Sequence, residues 1–165
     1  MAASISIIAS EEERTFVRTV RGGIMRISRT VTYAIASTVQ LAAAPPERLL
    51  PCSTLASMTE SPHRFLLQIL RLLVTHGILS SRRGIDGGFQ LAKPPNKISI
   101  LQIIEAFDPS LSPQLPEMPG ISPPARHRLL MSLHDANSQA RSELARLTVA
   151  DLLAAQSATP TSTDI

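Results

Sequence analysis

The sequence predicts a mainly α-helical fold that carries one small β-hairpin and ends in a long helix. Three observations support this: apolar residues recur at helical spacing, two strand-like runs flank a glycine turn, and a second apolar pattern follows a proline-rich segment. In a chain of 165 residues, 44% hydrophobic and 18% charged residues are enough for one small core. No apolar run approaches the roughly 18 residues that cross a bilayer, so we expect no membrane segment. The first 24 residues contain no seven-residue hydrophobic stretch typical of a targeting signal, so a cytoplasmic location is expected.

The first predicted helix begins at Ser28, a residue type that caps helices, and ends at Ala44-Pro45-Pro46, where proline cannot continue it. One face repeats at three- and four-residue steps and is expected to be buried: Val31, Ala34, Ile35, Thr38, Val39 and Ala42. A short helix around Ser53–Met58 follows, and its Leu55 and Ala56 are expected to face inward.

A third helix is predicted to begin at Ser61-Pro62, because serine caps helices and proline favours the first helical position. Its apolar face comprises Phe65, Leu66, Ile69, Leu70 and Leu73. Gly77 is expected to end this helix. The polar residues between the apolar ones are therefore expected to face away from the core.

Two short strands, residues 78–82 and 89–91, are predicted next, with Asp86-Gly87-Gly88 as the turn of a tight hairpin. Ser99 then caps a further helix. The apolar face of that helix comprises Ile100, Ile103, Ile104 and Phe107. The order of helix, helix, turn, helix and hairpin is that of a winged helix-turn-helix domain.

Six prolines between residues 108 and 124 predict a loop. Beyond it a narrow apolar seam suits pairing with another helix: Leu129, Leu133, Ala136, Ala140, Leu144 and Leu147. Thr148 is expected to cap a last short helix containing Val149, Leu152 and Leu153.

The chain is therefore divided into five segments. They are an N-terminal extension at 1–24, the winged domain at 25–108, a Pro-rich loop at 109–124, a dimerisation helix with a short C-terminal helix at 125–155, and a disordered tail at 156–165. Two interpretations of the extension stay open, a flexible arm or an over-long start whose true beginning is Met25.

The distribution of charge indicates an anionic partner for the winged domain. Residues 25–108 hold nine Lys and Arg against five Asp and Glu, whereas the flanking segments are close to balance. A helix fits the major groove of duplex DNA, and cations on a hairpin tip can approach the phosphate backbone. The candidate DNA-binding residues are Arg26, Ser61, His63, Arg64, Gln68, Arg82, Arg83, Gly87 and Gly88.

The chain resembles the BadM/IscR/NsrR group of bacterial transcription regulators, also called the Rrf-two family. The most diagnostic string is Ser80-Ser81-Arg82-Arg83-Gly84-Ile85-Asp86-Gly87-Gly88-Phe89-Gln90-Leu91-Ala92, and Arg64-Phe65-Leu66-Leu67-Gln68-Ile69-Leu70 adds to it. The resemblance covers roughly residues 25–108 and implies a homodimer, paired through the seam residues of the long helix. It further implies a pseudo-palindromic operator. Repression is the expected mode of regulation, and activation, or both, stays open.

The chain departs from the family in its cysteines. Members that sense iron, nitric oxide or redox state carry three cysteines in the loop before the dimer helix, whereas Cys52 is the one cysteine of this chain. We therefore expect no iron–sulfur cluster, no metal and no other cofactor. Two histidines, His127 and His134, are expected to lie on the surface. Regulation would then rest on expression level, a small-molecule effector near the Pro-rich loop, or a partner protein.

Several alternatives are weighed beside this interpretation. The domain could be a winged helix kept for protein–protein interaction that no longer binds DNA. An enzyme is not expected, because no nucleophile–base pair and no phosphate-binding glycine loop is found. Cys52 is either a thiol activated by a helix N-terminus or a small buried apolar residue. Glu60 stands in the turn before the third helix, where glycine is common.

Overall fold

The computed structural model of the chain describes residues 27–84, 86–108 and 115–157. The N-terminal extension, Met25 and the candidate Arg26 lie outside the described residues, as do residue 85, part of the Pro-rich loop and residues 158–165. Within the described parts the fold is mainly helical with one two-stranded antiparallel sheet, so the predicted fold class is confirmed.

Helix α1 (Arg29–Ala43) lies at the centre of the core. Its predicted cap is confirmed, since the Ser28 hydroxyl accepts from the amide of Val31 at 3.3 Å. The buried face is wider than predicted, because α1 contacts helices and a strand on several sides. Ser37 and Leu41 are fully buried, whereas the predicted Ile35 and Ala42 are only half-buried.

Helices α2 (Cys52–Met58) and α3 (His63–Thr75) form the helix-turn-helix. The apolar face of α3 is confirmed at Leu66, Ile69, Leu70 and Leu73, while Phe65 is half-buried with its ring edge-on to Tyr33.

The predicted end of α3 at Gly77 is confirmed. Gly77 has a φ of 65°, which glycine adopts at little cost. Its amide donates to the carbonyl of Val74 and that of Ile78 donates to Leu73, both at 3.0 Å. This pair of bonds is the Schellman arrangement, so the chain leaves α3 in a fixed direction toward the hairpin.

The start of α3 was predicted wrongly. Pro62, not Ser61, is the N-cap, and no side chain caps this helix. The Ser61 hydroxyl lies 2.9 Å from the hydroxyl oxygen of Thr59, and the Ser61 amide donates to Ala56 at 3.0 Å. Because Ser61 is held within the turn, it is not available to the first turn of α3.

The hairpin consists of β1 (Leu79–Arg82) and β2 (Gly88–Leu91). Its register runs from Leu79 opposite Leu91 to Arg82 opposite Gly88, so the connecting loop is residues 83–87. The predicted tight turn at Asp86-Gly87-Gly88 is thus wrong in its position. Gly88 belongs to the strand. Its neighbour Phe89 forms two backbone hydrogen bonds with Leu50, of 2.9 and 3.0 Å, and the backbone of Leu50 lies directly beside Gly88.

A 3-10 turn (Pro95–Lys97) leads to α4 (Ile100–Glu105), and the predicted cap at Ser99 is confirmed as a capping box with Gln102. Its Ile100, Ile103 and Ile104 are buried as predicted.

Helix α5 (Pro123–Arg146) begins two residues before the predicted helix start at 125, because prolines fit the first helical turn, where the amides have no partner within the helix. None of its residues is fully buried. Among the predicted seam residues Leu129 and Ala136 are exposed, whereas Leu144 packs against the core of its own chain and Leu147 is the C-cap. Arg141 of α5 forms an ion pair with Glu105 of α4. The C-terminal part of α5 therefore rests on α4.

Helix α6 (Val149–Ser157) extends two residues past the predicted boundary at residue 155. The predicted cap is confirmed, since Asp151 donates its amide to the Thr148 hydroxyl at 3.3 Å. This helix packs on α1, with Val149 completely buried. The amide of Val149 also donates to the carbonyl of Ile98, and the amide of Ile100 donates to the carbonyl of Leu147, each at 2.9 Å. None of the described helices is long and apolar enough to cross a membrane.

Candidate nucleic-acid interface

The turn between α2 and α3 is held by a dense set of local hydrogen bonds. Thr59 donates its hydroxyl to Leu55 at 2.8 Å and its amide to the same carbonyl at 3.0 Å. Glu60 adopts a φ of 49°, the left-handed region that disfavours residues with a side chain. The turn geometry expected from glycine is thus formed with glutamate, whose side chain is exposed. The turn fixes the angle at which α3 leaves α2.

The outer face of α3 carries polar side chains in contact with solvent. The predicted DNA-binding residues His63, Arg64 and Gln68 are all exposed, and Leu67 between them is half-buried. Arg71 is exposed one turn beyond Gln68 and was missing from the candidate set. Its spacing of seven residues from Arg64 and three from Gln68 predicted its outward position, but it was not selected as a DNA-binding residue.

The hairpin formed by β1 and β2 is the wing of the domain, and its two arginines are also exposed. Arg82 ends β1 and Arg83 opens the loop that joins the strands. In this loop the amide of Gly87 donates to the carbonyl of Gly84 at 3.0 Å. Gly84 has a φ of 119°. The loop conformation therefore depends on glycine beside two cationic side chains.

The other two candidate glycines have a structural reason for their small size. A Cβ at Gly87 would lie 2.4 Å from the carbonyl oxygen of Arg82, and one at Gly88 would lie 2.6 Å from that of Leu50. The second contact places Gly88, at the start of β2, against Leu50, which lies just before α2. The wing and the helix-turn-helix are thus joined through the backbone.

Two predicted or considered site residues lie away from this exposed surface. Ser61 is buried in the turn, so the structure does not place it where a ligand could reach its hydroxyl. Cys52, the first residue of α2, is half-buried and its Sγ lies 3.7 Å from the carbonyl oxygen of His63. Burial raises the pKa of the Cys52 thiol, although the nearby Arg71 acts in the opposite direction. These observations favour the interpretation of Cys52 as a small packed residue over an activated thiol.

Comparison with known protein families gives one match that covers most of the chain. A family model described as Rrf2, iron-dependent transcriptional regulator, matches residues 27–155. A regulator of the HTH type from Mycobacterium tuberculosis H37Rv is 36% identical over 88 residues, which are 53% of this chain and 55% of that protein. One from Aquifex aeolicus is 39% identical over 83 residues, 50% of this chain and 57% of that protein. The chain thus spans little more than half the length of these curated relatives.

Solved structures share the fold. CymR, the global cysteine regulator of B. subtilis, superimposes with a TM-score of 0.65 at 22% identity, over 79% of this chain and 98% of that one. IscR from T. potens gives a TM-score of 0.63 at 20% identity, over 86% and 93% of the two chains. These likenesses support the winged-helix fold assigned from the sequence. The matched proteins are transcriptional regulators rather than enzymes.

The residues of this chain do not fit the iron that the family description implies. Iron–sulfur clusters are held mainly by cysteine thiolates, and the chain contains one cysteine. That cysteine contacts the backbone of α3. In the parts of the chain that the structure describes, no three His, Cys, Asp or Glu side chains come together as a metal site. His127 and His134 are exposed on α5.

Proposed function

This chain belongs to the Rrf2 family of transcriptional regulators, whose model covers residues 27–155, and we propose that it binds double-stranded DNA as a homodimer and represses transcription. The observation that carries the proposal is the outer face of α3, where His63, Arg64 and Gln68 are exposed directly after the helix-turn-helix turn. In this architecture the second helix enters the major groove and its first residues meet base edges.

Each exposed group of the interface has a distinct role in the proposal. Arg64 reads a base edge, because guanidinium groups form paired hydrogen bonds with guanine. Gln68 suits adenine, and Arg71 lies further along the helix, where it neutralises phosphate. Arg82 and Arg83 place two cations at the wing, where they contact the backbone of the duplex without reading its sequence.

The proposed homodimer uses the exposed part of α5. Leu129 is 38% exposed on this helix, a costly arrangement for an apolar side chain unless another surface covers it. Leu133 and Ala136 extend the same seam. Two copies paired here would present two α3 helices to a pseudo-palindromic operator. Occupation of such an operator at a promoter excludes the polymerase, which is the basis for proposing repression.

In this proposal the protein regulates without an iron–sulfur cluster. A purified sample prepared without oxygen should be colourless, and DNA binding should not respond to iron chelators or to Cys52→Ser. A brown preparation with stoichiometric iron and sulfide would contradict this part of the proposal.

The proposal is tested by measuring duplex binding over a range of salt concentrations. The DNA beside the gene, searched for an inverted repeat, serves as the specific site, and a mixed-sequence duplex as the non-specific one. Arg64→Ala should weaken specific binding by about 1–3 kcal/mol. Arg82→Ala with Arg83→Ala should weaken both duplexes alike and reduce the salt slope by about one to two units.

Arg128→Ala is the matched control, since Arg128 is another exposed arginine, placed on α5. It should leave both affinities nearly unchanged. A protein that binds neither duplex, or whose binding ignores salt, would instead be the alternative, a winged helix that serves protein–protein interaction.

A further inference from the structure

A cleft of about 190 Å³ lies between the end of α3, the start of the hairpin and α4. Six residues line it: His76, Ile78, Lys93, Gln102, Glu105 and Ala106. None of them belongs to the candidate DNA-binding surface. The cleft therefore needs a separate explanation.

The lining combines an apolar floor with a polar rim. Ile78 and Ala106 are only 3% and 7% exposed and form the floor, whereas Lys93 and His76 are exposed. An ammonium, an imidazole, an amide and a carboxylate thus converge on one small apolar patch. Most of the lining is polar, so a ligand here would be held mainly by hydrogen bonds and charge.

Two of the polar groups are held in place by partners outside the cleft. Gln102 accepts from the amide of Ser99 through Oε1 at 3.2 Å, which fixes the orientation of its amide group. Glu105 is ion-paired with Arg141 of α5. Because Arg141 neutralises Glu105, Lys93 gives the immediate surroundings of the cleft a positive balance. This charge favours an anionic ligand.

We propose that this cleft binds a small carboxylic acid with a hydrogen-bond donor beside the carboxylate, that is, a 2-hydroxy or 2-amino acid. Lys93 and His76 receive the carboxylate, and the neighbouring hydroxyl or amino group donates to Glu105. A short apolar side chain covers Ile78 and Ala106. The volume of about 190 Å³ suits a ligand of a few heavy atoms within the cleft.

The position of the cleft connects it to the proposed regulation of DNA binding. His76 is the C-cap of α3, and Ile78 leads from the end of α3 into β1. Glu105 contacts the helix proposed to form the dimer. A ligand held here touches groups that set the position of α3 and of α5 at once. This consequence rests on the proposed function, whereas occupancy of the cleft does not.

Occupancy is tested first, without DNA, by titrating the full chain with L-lactate and with L-alanine while backbone amide resonances are recorded. Saturable shifts are expected at Ile78, Lys93 and Ala106 with at least one of the two acids. Propionate, which lacks the donor, and L-alanine methyl ester, which lacks the carboxylate, should bind at least about tenfold more weakly. The absence of saturable shifts up to about 50 mM of both acids would overturn the proposal.

Lys93→Met is the principal variant and Lys97→Met its matched control. Both lysines are exposed and near each other in sequence, but Lys97 ends the 3-10 turn and does not line the cleft. Lys93→Met should raise the dissociation constant about tenfold, and Lys97→Met should change it less than twofold. Equal weakening by the two variants would show non-specific attraction by surface charge and would overturn the proposal.

The effect on DNA is measured separately. A saturating acid should change the affinity of the wild-type protein for its specific duplex about fivefold or more, and Lys93→Met should abolish that change. If the acid binds the cleft but no duplex binds the protein, the proposed function fails while the site stands. If DNA binds and the acid does not, the site fails alone.

Discussion

Glu60 is the residue at which the helix-turn-helix departs most from ideal backbone chemistry. A residue with a side chain in the left-handed region costs about 1–2 kcal/mol relative to the right-handed one. The surrounding hydrogen bonds of Thr59 and Ser61 hold the turn in spite of this cost. The sequence indicated the position of the turn and the unusual residue, and the structure adds the φ of 49°.

Glu60→Gly should stabilise the protein by about 0.5–1 kcal/mol, because relief of the strained φ exceeds the extra entropy of glycine in the unfolded chain. Glu60→Gln is the control, since it removes the charge but keeps the strain. Its free energy of unfolding should stay within about 0.5 kcal/mol of the wild type. Urea unfolding measures both, and a glycine variant no more stable than the glutamine variant would contradict the strain.

Cys52 illustrates how one residue supports two hypotheses until its surroundings are known. A cysteine at the start of a helix can be activated by the helix dipole. Here burial raises the pKa of the thiol, and this effect depends on packing against α3 that no local pattern reveals.

Alkylation of Cys52 by iodoacetamide should therefore be slow at neutral pH. Since the folded-state pKa is raised, the midpoint of the rate against pH should lie above that of the same cysteine in urea-denatured chain. Mass spectrometry after timed quenching gives the rates. Faster reaction in the native protein at neutral pH would identify an activated thiol instead.

At the scale of elements, the caps were predictable where they are local. Ser28, Ser99 and Thr148 each bond to the amide three residues ahead, and that pattern can be read from the chain. Ser61 has the same residue type but is held by Thr59 instead, because the turn competes for its hydroxyl.

The wing was predicted in outline but not in register. Gly88 was assigned to the turn, since glycine pairs are typical of hairpin turns. Its actual constraint comes from Leu50, which is distant in sequence and pairs with Phe89. Contacts of this range are not visible in a local pattern.

Gly88→Ala should destabilise the protein by about 1–3 kcal/mol, because its Cβ would lie 2.6 Å from the Leu50 oxygen and backbone must move. Ser81→Ala, at an exposed position of the facing strand, should change stability by less than about 0.5 kcal/mol. Thermal unfolding compares the two. A Gly88→Ala protein as stable as the wild type would show that the wing is not fixed to Leu50.

On the scale of the whole molecule, the sequence predicted the elements and their order. It did not predict that the last two helices, α5 and α6, pack against the winged domain of their own chain. The seam of α5 was assigned entirely to a partner. The structure divides it, with Leu129 exposed and Leu144 packed on the core of its own chain. A periodic pattern shows which side of a helix is apolar, but it does not show which surface covers each part.

Leu129→Asp with Leu133→Asp should convert the proposed dimer to monomers, since it places charge on the exposed part of the seam and leaves Leu144 intact. Ser138→Asp is the control, because Ser138 is exposed on the opposite side of α5. Sedimentation velocity at micromolar concentration measures the species. A wild-type protein that sediments as a monomer would contradict the proposed dimer.

The burial of Val149 against α1 has a consequence for biosynthesis. A ribosome releases α1 well before α6, yet the side chain of Val149 is completely enclosed by the core that α1 organises. The core of the winged domain therefore cannot be completed during synthesis until α6 has been made, because contacts between residues far apart in sequence form late. A nascent chain interrupted before residue 149 should leave α1 partly uncovered and become a substrate for chaperones and proteases.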